Sequence, residues 1–184
     1  VGLVQDTTPQ GYTALHIACS TNSSVDTVRY VLACSADANA VDLHGRTALH
    51  YAASNGNAGH VQALLDAGAV REISDTKGRT PLYFACQSAK EDAVISLLEA
   101  PTGQPGASCA STDHGGYTVL MAAVIGGSAP IVARLLACLA VAGENALGAG
   151  IRTQTRSGST ALSIACELGR DDIAALLLLS LIHI

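Results

Sequence analysis

The sequence predicts an all-α fold, an α-solenoid of stacked helical repeats, and three observations predict it. One nine-residue stretch, Gly-Arg-Thr-Ala-Leu-His-Tyr-Ala-Ala over residues 45–53, returns in altered form at 11–19, 78–86, 116–124 and 158–166. Its Thr stands at 13, 47, 80, 118 and 160, in steps of 34, 33, 38 and 42, and self-similarity near 33 residues marks a stacked array. Each copy is followed by apolar residues at helical spacing, such as Val61, Leu64 and Leu65. Composition fits as well. Hydrophobic residues make up 49 % of 184, aromatics only 3 %, and Trp is absent. A core built from Ala, Leu, Ile and Val suits thin layers of closely stacked helices.

The phase of the Thr positions divides the chain into five repeats within one domain, 1–184: about 8–41, 42–74, 75–112, 113–154 and 155–184. Residues 1–7 carry no motif and read as a loose lead-in. In repeat one a helix starts near Thr13, and Val25, Val28, Val31 and Leu32 line a second one. Repeat two is the most regular. Thr47 can cap its first helix, Gly56 separates the two helices, and Gly68 stands where a left-handed residue often ends one. In repeat three Pro81 follows Thr80, at the first helical position, where proline is tolerated. Its second helix carries Ala93, Val94, Leu97 and Leu98, and the Pro-rich insertion 101–105 must be a loop. Repeat four has Ile131, Val132, Leu135 and Leu136, with apolar residues continuing to 142, so its second helix should run on for a turn or more. An insertion of about nine residues, 139–147, follows. The glycines of 143–150 predict a flexible segment there, since no Lys-Ser/Thr pair makes them a phosphate loop. Repeat five closes on Ile173, Leu177, Leu178 and an apolar tail.

Charge and cysteine usage narrow the function classes. The net charge is -5, with five Tyr and one Phe. Nucleic-acid binding would want a basic surface with interleaved aromatics, so no nucleic-acid partner is expected. No apolar run reaches the ~18 residues of a membrane span, and no membrane insertion is expected. No basic and apolar leader precedes the repeats, and the start at Val1 reads as a fragment or a processed chain. Six Cys lack the spacing of a zinc site. Cys19, Cys86 and Cys166 share one repeat position and read as small buried side chains in a reducing, intracellular setting, cytoplasmic or nuclear. They are too far apart in a stack to form a disulfide framework. His16 and Cys19 are three apart on one helix, but the pattern puts Cys19 in the core. The pairs Glu91-Asp92 and Asp171-Asp172 begin second helices and complement their dipoles. No catalytic, metal or cofactor site is therefore expected, and the chain reads as a non-enzyme.

These residues resemble the ankyrin repeat family. Repeat two carries its pattern as Asp42, Gly45, Thr47, Leu49, His50, Ala52, Ala53, Leu64, Leu65, Gly68 and Ala69. The resemblance implies two antiparallel helices and a β-turn finger per repeat, stacked into a curved array. It implies that the motif His joins a polar network near the helix start. His16 and His50 keep it, whereas Tyr83, Met121 and Ser163 replace it and put the network in question in the last three repeats. His60, where the family has Ile, is expected to be partly solvated and to weaken its layer.

The resemblance also implies a function in protein–protein interaction, as a scaffold or adaptor, through the concave surface of fingers and first helices. The positions that carry over are Tyr12, Leu43, His44, Arg46, Asn55, Lys77, Arg79, Gln87, His114, Tyr117, Ile125 and Arg156. Six of the ten Lys and Arg fall in finger regions, which makes an acidic partner segment the expected ligand, while Asp42, Asp75 and Asp113 are expected to be tied up in turn hydrogen bonds. Asn39 resembles the hairpin asparagines that hydroxylases modify. A second possibility is a regulatory or targeting portion of a larger enzyme, channel or acyltransferase. The apolar stretch 173–184 has no polar closing repeat, so another repeat, another domain or self-association is expected to cover it.

Overall fold

The computed structural model describes residues 6–99 and 106–182. Among them are eleven helices: α1 (Ala14–Ser20), α2 (Val25–Ala33), α3 (Ala48–Asn55), α4 (Ala58–Asp66), α5 (Pro81–Gln87), α6 (Glu91–Leu98), α7 (Val119–Gly126), α8 (Ala129–Val141), α9 (Glu144–Arg152), α10 (Ala161–Glu167) and α11 (Asp171–Ile182). The described residues form no strand beyond a single bridge between Thr112 and Thr118. The fold is the expected all-α repeat array.

The motif Thr explains where each first helix begins. Thr13, Thr47, Thr80, Thr118 and Thr160 all have extended backbone and occupy the N-cap. The hydroxyl of Thr118 accepts the Met121 N–H at 3.1 Å and that of Thr160 accepts the Ser163 N–H at 3.2 Å. Each satisfies one of the amides that a helix start leaves unpaired. Pro81 is the first residue of α5, as expected.

The ten repeat helices stack in two rows. First helices α1, α3, α5, α7 and α10 pack in succession, and second helices α2, α4, α6, α8 and α11 form the row behind them. The motif Leu fills the seam: Leu15, Leu49, Leu82 and Leu120 are fully buried. From behind come Val28, Val61, Leu64, Val94, Leu97, Ile131, Leu135, Ile173 and Leu177, all without exposed surface. One repeat alone could not bury these side chains, and its neighbours supply the burial.

Three expectations are corrected. The segment 143–150 is not a flexible insertion, because α9 occupies 144–152 and packs against α8. Ile151 is buried and Leu147 half-buried at that contact. Glycine is a poor helix former, but at Gly150 it permits close approach, since a Cβ there would lie 2.8 Å from the Leu139 side chain. Packing outweighs propensity at this site. The extension of α8 to Val141 is as expected. His60 is fully buried rather than partly solvated, and its Nε2 lies 2.8 Å from the Ser23 carbonyl. The imidazole thus joins α4 to the turn before α2 and fills a core position. Cys166 is exposed, unlike Cys19 and Cys86, because among the described residues no layer follows α10 and α11 to cover it. The insertion 101–105 and residues 1–5 of the lead-in lie outside the described residues.

Candidate binding surface

Each finger is a turn held by one inward-facing oxygen. Asp42 Oδ1 accepts the N–H groups of His44 and Arg46 at 2.7 and 2.9 Å. Asp75 Oδ1 accepts those of Lys77 and Arg79, both at 2.9 Å. Asp113 Oδ1 accepts those of Gly115 and Tyr117, both at 2.8 Å. In the last finger the Thr155 hydroxyl takes the Ser159 N–H at 3.0 Å. The turn needs a left-handed residue, and Gly45 supplies it with φ +72°. Burial by itself would raise the Asp42 and Asp75 carboxyls, but their hydrogen bonds win and hold both below the usual carboxylate range. For Asp42 the donors are Tyr51 and the two finger amides, and for Asp75 they are Arg79 and the two finger amides. These acids are charged and turned inward, as expected.

Consecutive fingers are joined through the backbone. Leu43 N–H donates to the Gln10 carbonyl at 3.3 Å, Thr76 to His44 at 2.9 Å, His114 to Lys77 at 2.8 Å and Arg156 to Gly115 at 2.9 Å. The side chains of the tips are not needed for the joint and are free to point outward.

Behind the fingers, histidine links the first two layer boundaries. The Nδ1 of His16 faces Thr13, while its Nε2 lies 2.9 Å from the Arg46 carbonyl of the next repeat. His50 repeats this with Thr47 and with the Arg79 carbonyl at 3.1 Å. Burial pushes the His50 imidazole down to about 4. Where the His is replaced, Ser163 still closes a cap with Thr160, accepting its N–H at 2.9 Å, whereas Met121 makes a wholly buried apolar contact instead.

None of the twelve predicted surface residues is buried. Leu43, His44, Asn55, Lys77, His114 and Arg156 are exposed, and Tyr12, Arg46, Arg79, Gln87, Tyr117 and Ile125 are half-buried. The two central arginines are less free than the sequence suggested. Arg46 and Arg79 both stack on the ring of Phe84, with guanidinium carbons 4.9 and 4.7 Å from its centre. Arg79 also reaches Asp75 Oδ2 through Nε at 3.0 Å and Nη2 at 2.6 Å, and Arg46 Nε lies 3.6 Å from the same oxygen. Asn55 donates to the carbonyls of Cys19 and Ser20. Asn39 is likewise engaged, because its Oδ1 accepts the Val70 N–H at 2.8 Å and its Nδ2 donates to the Gly68 carbonyl at 3.3 Å, joining the first two hairpins.

Sequence reasoning missed Phe84 and Tyr51, which complete this surface. Tyr51 donates to Asp42 Oδ2 at 2.6 Å and meets the Tyr12 ring edge-on. The available signal was the residue after the motif His position, aromatic in repeats two and three but Ile17 in repeat one.

The family model for ankyrin repeats matches the chain in three copies, over residues 2–75, 26–109 and 102–184. The chain belongs to the ankyrin repeat family. Ankyrin repeats are generally protein–protein interaction modules and typically non-catalytic. Among the described residues no group of three or more His, Cys, Asp or Glu is placed to hold a metal ion, and no helix is long and apolar enough to cross a membrane.

Proposed function

We propose that this ankyrin repeat array binds a protein partner through its fingers and first helices, and that the partner contributes an acidic segment. One observation carries the reading: the finger carboxylates of Asp42, Asp75 and Asp113 turn inward onto backbone amides, whereas His44, Lys77, His114 and Arg156 follow one another along the tips with exposed side chains. The edge is cationic although the chain as a whole is acidic, and such complementarity raises association rate and specificity. Arg46 and Arg79 serve chiefly to hold Phe84 and Asp75 in place, so charge reversal at those positions would confuse folding with binding. Lys77 and Arg156 are the cleaner probes.

The test is fluorescence anisotropy with labelled glutamate-rich and lysine-rich peptides at low and high salt. The glutamate-rich peptide should bind and be released by salt, and Lys77→Glu with Arg156→Glu should weaken it by about tenfold and flatten the salt response. Equal binding of both peptides, or an unchanged double variant, overturns the acidic-partner reading.

Leu168, Leu178 and Leu179, each about half exposed at the last layer, support a second reading, in which a further repeat or a second copy covers that end. Sedimentation velocity of the chain at rising concentration distinguishes the two, since only self-association shifts the peak.

A further inference from the structure

Cys109 and Cys138 come from neighbouring layers. Cys109 lies in the hairpin after α6, buried at 8 % exposure, and Cys138 lies late in α8, half-buried. Their Sγ atoms are 2.8 Å apart, against a bonded length of about 2.05 Å. A cavity of about 120 Å³, lined by Cys109, Leu139, Ala146, Ala149 and Gly150 among others, gives the Cys109 sulfur room to shift. The pair also sits at the root of α9, one residue before the Leu139 that Gly150 approaches. The other four cysteines belong to other positions. Cys19 and Cys86 are buried in α1 and α5, Cys34 is half-buried at the end of α2, and Cys166 is exposed on α10.

We propose that Cys109 and Cys138 are a redox modification site, closing to a reversible disulfide when the chain meets a peroxide. Cys138 reacts first, because it is the more accessible sulfur, while burial pushes the Cys109 thiol well above the ordinary thiol range. The Cys138 thiolate attacks hydrogen peroxide. An S–O bond forms, the O–O bond breaks, and the departing oxygen leaves as water after taking a proton. The Cys109 sulfur then attacks the sulfenic sulfur of Cys138. The S–S bond forms, the S–O bond breaks, and the leaving hydroxide carries off the Cys109 proton as water. Two thiols and one hydrogen peroxide give one disulfide and two waters, and a dithiol reductant reverses the change. The closed bond ties the third hairpin to the lengthened α8 and encloses the 28 residues between Cys109 and Cys138, which restricts the unfolded chain. It thereby fixes the base on which α9 rests.

Trypsin makes the test direct. Cleavage after Lys90, Arg134 and Arg152 puts Cys109 on peptide 91–134 and Cys138 on peptide 135–152. The full chain is treated with hydrogen peroxide, blocked with iodoacetamide and digested without reductant. The expected result is a joined 91–134/135–152 species and two fewer blocked thiols than in the reduced chain. The melting temperature should rise by several degrees and fall back with dithiothreitol. Cys138→Ser should abolish both effects while keeping the fold, because its side chain is half-exposed, and Cys109→Ala provides an independent second variant. The proposal is overturned if Cys138 goes to sulfinic acid with no joined peptide. It is equally overturned if the joined species involves another cysteine, or if the melting shift persists in Cys138→Ser.

Discussion

At the first two layer boundaries an imidazole crosses from one repeat to the next, and in repeat four a thioether fills the same place. His16 and His50 each bind their own helix cap and the backbone of the following finger. Met121 has no such reach, and α7 around it is packed from Val119 to Val124 with fully buried side chains. The same backbone is thus held by directed polar links at one end and by apolar packing toward the other. Polar links specify which carbonyl meets which ring, but they carry a titratable group into the core. Apolar packing is indifferent to pH and depends on shape.

The largest expected effect breaks the apolar side of this contrast. Leu120→Ala, at a position 1 % exposed, should cost about 3 kcal/mol through lost burial and the cavity left behind, read as a lower urea midpoint. On the polar side the response should be to acid. The His50 imidazole titrates at about 4 in the fold against 6.5 ordinarily. The unfolded chain therefore takes up the proton first, so stability is complete above pH 6.5 and declines as pH falls toward 4, by up to about 3 kcal/mol. Urea titrations across that window measure it, and a flat profile would dissolve the contrast. His50→Met, which copies the fourth repeat into the second, sharpens it. At neutral pH it should cost about 2 kcal/mol, because the Thr47 N–H and the Arg79 carbonyl lose their partner, and it should flatten much of the acid response. Arg79→Ala should cost roughly 1–2 kcal/mol by releasing Asp75 and the Phe84 ring, with Arg46 nearby to limit the loss. Smallest is Lys77→Glu, exposed on its finger, which should change stability by less than about 0.5 kcal/mol while weakening an acidic peptide.

Most of the array was legible because the repeat phase assigns roles. Thr47 and its counterparts cap, Leu49 packs, and Asp42 turns inward, and each of these depends only on contacts within a repeat or with its neighbour at the same register. What escaped depends on contacts that the phase does not encode. The glycines at 148 and 150 suggest flexibility until Leu139 is seen against Gly150. The partnership of Cys109 and Cys138 is hidden because they hold different positions in different repeats. Arg46 and Arg79 read as free charges because Phe84, the ring on which both stack, belongs to a repeat position that the motif leaves variable. His60 read as a polar misfit because its acceptor, the Ser23 carbonyl, is a backbone atom of another layer.

The finger ladder has one more consequence. Because each tip is fixed to the last by an amide and a carbonyl, the spacing of the tips is set without reference to the side chains they carry. His44, Lys77, His114 and Arg156 can be exchanged for other residues, and the next tip stays where it was. The array therefore behaves as a ruler with replaceable marks: mutation rewrites what is presented at each interval but leaves the interval alone, and new specificities can arise one finger at a time.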